Sequence, residues 1–165
     1  MSTVVVVGNP KPRSRTYEAA VGVAEKLTGS APDLAVDLVD FGAALLDWSD
    51  AGVAAAIASV AAADVAVFAS PTYKATYTGL LKLFLDRIGT GALAGVTAVP
   101  VMLGGDWRHS LASDVLLKPV LVELGATCPT RGLFLLDKEY AASETLDAWL
   151  AAARPQVLAS AASRT

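Results

Sequence analysis

This 165-residue chain is short of the residues that most often build metal and disulfide sites. Its only cysteine is Cys128, so no internal disulfide can form, and a reducing, cytoplasmic address is the natural expectation. Its only histidine is His109, and one His with one Cys cannot make a His/Cys-rich zinc centre. Charge is sparse as well. Only 18% of residues are charged, and the formal net charge is −3. A chain without basic excess offers no broad face to displace counterions from nucleic acid. No apolar run of spanning length escapes proline, glycine or charge, so no membrane helix is expected. Ser2–Val7 is apolar, but the prolines and cations of Gly8–Arg15 follow it, the reverse of secretory order. What the chain has in quantity is apolar side chain, 54% of residues, enough for one well-filled core.

That apolar content is arranged in alternating patterns. Val4–Val7 is a run of valines closed by Gly8, as a strand buried on both faces requires. Arg15–Leu27 has helical spacing, with Gly29 and Pro32 as stops. Ala35–Val39 reads as a second strand, Phe41–Asp50 as a loop holding Trp48, and Ala51–Ala63 as an Ala-rich helix. Asp64–Ala69 is a third strand, Gly79–Ile88 a helix, and Val96–Leu103 a fourth strand closed by Gly104 and Gly105. Ser110–Leu124 is a helix expected to bend near Pro119. Thr127–Leu136 holds a last strand, and Ser143 caps a last helix. Strand and helix thus alternate about five times, the pattern of a doubly wound α/β sheet. One domain over residues 1–158 is expected, with 159–165 as a frayed tail.

In such sheets ligands bind beyond the carboxyl ends of the strands, which directs attention to three loops. The first, Gly8-Asn9-Pro10-Lys11-Pro12-Arg13-Ser14-Arg15-Thr16, is neither G-x-G-x-x-G nor a P-loop. It still carries hydroxyls, three cations and a helix N-terminus, the parts of a phosphate cradle. The same residues would make a solvated basic loop with Ser14 as N-cap, and these residues alone do not choose. The second, Ser70–Gly79, brings Tyr73 and Tyr77 to a strand end, where they can flank a ligand ring or pack on neighbouring loops. The third, Gly104–His109, permits close backbone approach or forms an ordinary tight turn. Trp48 and Trp149 are expected in the core or an interface, and Cys128 is expected to act as a small apolar residue. No G-x-S-x-G elbow presents a serine, so a hydrolase triad is not supported, and no nucleophile or general base stands out as catalytic.

Together the loops resemble those of the NAD(P)H-dependent FMN reductases of the flavodoxin-like superfamily, especially those associated with alkanesulfonate monooxygenases. GNPKPRSRT is similar to that family's G-S-P-R-x-x-S-x-[ST] phosphate loop, and SPTYKATYTGLLKLFLDRI (Ser70–Ile88) is the closest stretch. Gly104-Gly105, a histidine and Leu117-Lys118-Pro119-Val120-Leu121 follow in family order. The resemblance implies a flavodoxin-like five-stranded parallel sheet in the order 2-1-3-4-5. It implies hydride transfer from a nicotinamide cofactor to FMN, with the chemistry carried by the cofactor. By position it assigns Asn9, Lys11, Ser14, Arg15 and Thr16 to the flavin phosphate, Pro71, Thr72, Tyr73 and Lys74 to the ring side, and Gly104 and Gly105 to the ring's other edge.

It also implies a homodimer or homotetramer, a flavin-dependent monooxygenase as partner, and no nucleic acid, membrane or metal. The same loops would serve an FMN-bound quinone or azo reductase, or a flavodoxin-like electron carrier. Arg13 has no clear family counterpart, while Lys74, Arg108 and Arg13 are the cations available for a 2′-phosphate. Val115 stands where the sulfonate-linked branch inserts a tyrosine associated with a π-helical bulge and flavin transfer. That departure points to FMN held firmly instead of lent out.

Overall fold

The valines of β1 (Thr3–Val7) alternate between two cores. Val4 and Val6 face one, Val5 and Val7 the other, as period-two side chains in a doubly covered strand must. The computed structural model describes residues 1–163, and its other strands are β2 (Leu34–Asp37), β3 (Val65–Pro71), β4 (Thr97–Gly104) and β5 (Leu133–Leu136). All pair in parallel, in the order β2-β1-β3-β4-β5. The helices are α1 (Arg15–Thr28), α2 (Ala51–Ala62), α3 (Gly79–Leu85), α4 (Lys118–Glu123) and α5 (Glu144–Ala162). α1 and α5 bury Ala20, Val23, Leu27, Leu146 and Val157 against one face, while α2, α3 and α4 bury Val53, Val60, Leu81, Phe84 and Leu121 against the other. The expected five-stranded flavodoxin-like sheet is therefore the observed one.

Local differences have local causes. Leu38 and Val39, expected as strand, and the first part of the expected loop Phe41–Asp50 coil instead into 3₁₀ turns over Leu38–Leu46, broken at Gly42 (φ 52°). It buries Leu38 and Leu45 but leaves Trp48, expected in a core or interface, 72% exposed in the chain. α3 ends at Leu85, three residues early; Lys82 then pairs with Asp86 at 2.6 Å, and Arg87 donates to the carbonyls of Ala44 and Trp48. α5 runs through Ala162 because Val157 and Ala161 are still packed, so residues 159–162 of the expected tail are helical. Arg164 and Thr165 lie outside the described residues. Among the described residues no single helix is long and apolar enough to cross a membrane.

The break expected near Pro119 falls one turn earlier, as a π turn over Ser113–Leu117 in which the Lys118 N–H reaches back five residues to the Ser113 carbonyl. Proline supplies the reason. Pro119 has no N–H for the Val115 carbonyl, and its ring would press on that carbonyl, so the preceding turn widens. The bulge forms with valine at position 115 and needs no tyrosine. Ser113 is wholly buried and packs so closely on Gly132 that a β-carbon there would sit 2.7 Å from the serine's own.

Candidate functional site

The loops after β1, β3 and β4 meet at one edge of the sheet. β1 connects outward to β2 on one side, and the chain then crosses to β3 on the other, so the switch point lies between the first two loops. Hydrogen bonds join them in series. The Gly8 N–H donates to Ala69 at 2.8 Å, and the Thr78 hydroxyl donates to the Gly8 carbonyl. The Thr72 N–H donates to Leu103 at 2.6 Å, and the Thr72 hydroxyl lies against Gly104, 3.2 Å from where its β-carbon would be. Gly8 is required for this closeness: a β-carbon there would meet that of Leu81 at 2.4 Å.

In the first loop Ser14 is the N-cap of α1 and accepts the Tyr17 N–H at 3.3 Å. The Asn9 amide donates to the Thr16 hydroxyl at 3.0 Å, and its oxygen accepts the Lys11 N–H at 2.9 Å. Asn9 and Thr16 are both buried, so Asn9 braces the cradle and Thr16 keeps its own O–H to donate. The backbone N–H groups of Ser14, Arg15 and Thr16 have no partner among the described residues. Lys11 and Arg15 are exposed and make no salt bridge among those residues. Three amides at the start of a 14-residue helix, flanked by two cations that make no salt bridge among the described residues, are the donors an anion would need. Arg13 is not one of those cations. Its guanidinium donates to Asp37 at 2.8 Å and to Asp40 at 2.7 Å, and the hydrogen bonds to Asp40 and then Asp37 raise it above its ordinary pKa.

The second loop turns back on itself. Tyr73 and Thr76 exchange N–H···O bonds of 2.8 and 3.2 Å around Lys74 (φ 51°) and Ala75 (φ 69°). Two positive φ angles define a type I′ turn, usually occupied by Asn and Gly. Ser70 is buried beneath it, accepting the Thr78 N–H at 2.9 Å. Tyr73 is half exposed and Lys74 exposed, whereas Tyr77 packs on the core. The buried Thr72 hydroxyl has no partner among the described residues.

In the third loop Gly105 opens on empty space. Asp106 accepts the Arg108 N–H at 2.8 Å and its guanidinium at 3.1 Å, which holds the carboxyl below the usual carboxylate range. Trp107 leans on Phe134 with ring centroids 5.8 Å apart. His109 ends a single 3₁₀ turn, part exposed. Cys128 lies apart from the loops, on the core's margin, where burial pushes its thiol up to about 11.

The structure thus gathers all eleven expected residues along one edge. What sequence reading missed there is the Arg13–Asp37–Asp40 group, whose members lie 24 and 27 positions apart. The fold and this edge define a flavodoxin-like domain with three open amides beside two cations at its switch point. Comparison with known proteins narrows the class. The model of the NADPH-dependent FMN reductases matches residues 1–141, and the chain belongs to that family. It is 41% identical over 81 residues to an FMN reductase (NADPH) of Pseudomonas putida, the match covering 49% of this chain and 41% of the relative. It is 31% identical over 139 residues to the NADH-dependent FMN reductase SfnF of Pseudomonas putida, covering 79% and 75%. The solved apo form of an NADH:FMN oxidoreductase, EmoB, superposes with a TM-score of 0.84 at 30% identity, covering 98% of this chain and 89% of that one. The match to the first relative spans about two fifths of its length, and that to the second about three quarters.

Proposed function

We propose that the chain is an NAD(P)H-dependent FMN reductase, and the observation that carries this is the cradle of three unpartnered amides beside Lys11 and Arg15. The donor set suits a phosphate monoester: backbone N–H groups at a helix start, the Thr16 hydroxyl and two cations. Ser14, Arg15 and Thr16 would hold that phosphate, with Lys11 at its rim and Asn9 as brace. Pro71, Thr72, Tyr73 and Lys74 form the ring-side wall, and Gly104 and Gly105 keep its far edge low. FMN, when bound, supplies the hydride-accepting chemistry. The chain's part is to orient the ring and leave one face open to the nicotinamide.

Of the three cations considered for a 2′-phosphate, Arg13 and Arg108 are engaged with carboxylates, which leaves Lys74. The exposed Leu111, Val115 and Val122 form an apolar stripe along the π turn and α4, which supports a homodimer or homotetramer. The reading also carries a cytoplasmic address and a flavin-dependent monooxygenase as recipient of the reduced flavin. Because the π turn forms without the tyrosine, the residue at 115 alone is not a ground for firm retention. Anaerobic mixing with FMN and either reduced nicotinamide should bleach the flavin absorbance. No bleaching with either nucleotide would leave a carrier and remove the enzyme.

A further inference from the structure

The least expected charge at the site is Asp37. It ends β2, opposite Val7 in the register, and its side chain is only 1% exposed. One carboxylate oxygen accepts both the Arg13 N–H at 2.9 Å and the Arg13 guanidinium at 2.8 Å. The other is buried and has no partner among the described residues. A buried carboxylate needs a counter-charge, and here one stands next to a cradle shaped for an anion. Arg13 meets the need in an unusual way. It adopts φ 48°, a left-handed conformation that L-residues avoid, and lays its guanidinium 5.4 Å over the Tyr17 ring. Its second terminal nitrogen, Nη2, donates to Asp40 at 2.7 Å. One side chain therefore ties the loop to the end of β2 and covers the carboxylate, immediately before the three open amides.

We infer that Arg13 is a positioning residue which screens Asp37 from the flavin phosphate and fixes the turn that aims the Ser14–Thr16 amides outward. This rests on the FMN reading. Arg13 touches no part of the ligand; it acts through the loop and through Asp37. Removing it leaves a negative charge facing a phosphate and frees the strained turn. Removing both Arg13 and Asp37 relieves the repulsion, so the two substitutions are coupled. Riboflavin has the same ring and no phosphate, so it should not sense the pair.

The test is a double-mutant cycle of Arg13→Ala and Asp37→Asn on the full chain, titrated with FMN and with riboflavin by flavin fluorescence. Arg13→Ala should weaken FMN by about 10- to 100-fold and riboflavin by less than about twofold. Arg13→Ala with Asp37→Asn should recover at least about half of that loss on a logarithmic scale. If Arg13→Ala does not fold, Arg13→Gln replaces it in the same cycle, with the same FMN loss, the same sparing of riboflavin and the same recovery with Asp37→Asn expected, and the same outcomes overturning the inference. FMN affinity unchanged in Arg13→Ala, equal losses for both flavins, or no recovery in the double variant would each overturn the inference. Wild-type protein that binds no FMN would overturn the functional reading itself, and the inference with it.

Discussion

The two ends of the candidate site are built differently. At the first loop almost every side chain is already engaged: Asn9 with Thr16, Ser14 with the helix start, Arg13 with two carboxylates. Only the amides and the cations at the rim remain open. At the second and third loops Ser70 and Asp106 are engaged within the loops, but more of the remaining side chains stand open. Tyr73 and Trp107 are half exposed, and among the described residues Lys74 makes no salt bridge and the buried Thr72 hydroxyl no hydrogen bond. A preorganised end needs no rearrangement to take its ligand, while an open end gains its order from what binds. The contrast suits a site that fixes one part of a ligand and leaves another accessible to a second reactant.

Substitutions at the two ends should therefore differ in cost. The largest effect is expected for Gly8→Ala, because the new β-carbon would meet the Leu81 β-carbon at 2.4 Å, with α3 backbone close behind. Urea unfolding should show a loss of about 3 kcal/mol. A loss under about 1 kcal/mol would mean the first loop is less rigid than it looks. Arg15→Ala should weaken FMN by about 2 kcal/mol if its charge reaches the phosphate, measured by calorimetry, and unchanged affinity removes Arg15 from the site. Gly104→Ala would meet the tip of the Phe134 ring at 2.7 Å and the Thr72 hydroxyl at 3.2 Å, side-chain groups with no backbone behind them. It should cost about 1 kcal/mol, and a cost equal to that of Gly8→Ala would erase the contrast. Lys74→Ala should raise KM for NADPH about fivefold and leave NADH unchanged; equal changes for both would dismiss Lys74 as the 2′-phosphate contact. The smallest change is expected for Ala75→Gly, which relieves a left-handed alanine at φ 69°. It should raise stability by about 0.5 kcal/mol in thermal unfolding, and a decrease would show that the turn is not under strain.

Much of this was readable in the sequence because it is local. The run Val4–Val7 needs two apolar faces, and Ser14 and Ser143 cap helices through bonds three residues away. Strand order then brought the three loops to one edge. The role of Arg13 was not readable, because Asp37 and Asp40 come from the far end of β2. Nor was the π turn, since the resemblance tied it to a tyrosine when the cause stands at Pro119. The extent of α5 depends on Ala161, whose burial is decided by the neighbouring layer and not by its own propensity.

The π turn also bears on how this gene can change. It amounts to one residue more than an α-helix would use between Ser113 and Leu117. Deleting one codon there would draw the turn back to an ordinary α-helix and leave the residues on either side in phase. Leu117 and Leu121 would keep their places in the core, and the change would be confined to the turn itself. A one-residue deletion is therefore accommodated in this turn, whereas the same deletion within α4 would rotate everything beyond it by about 100°.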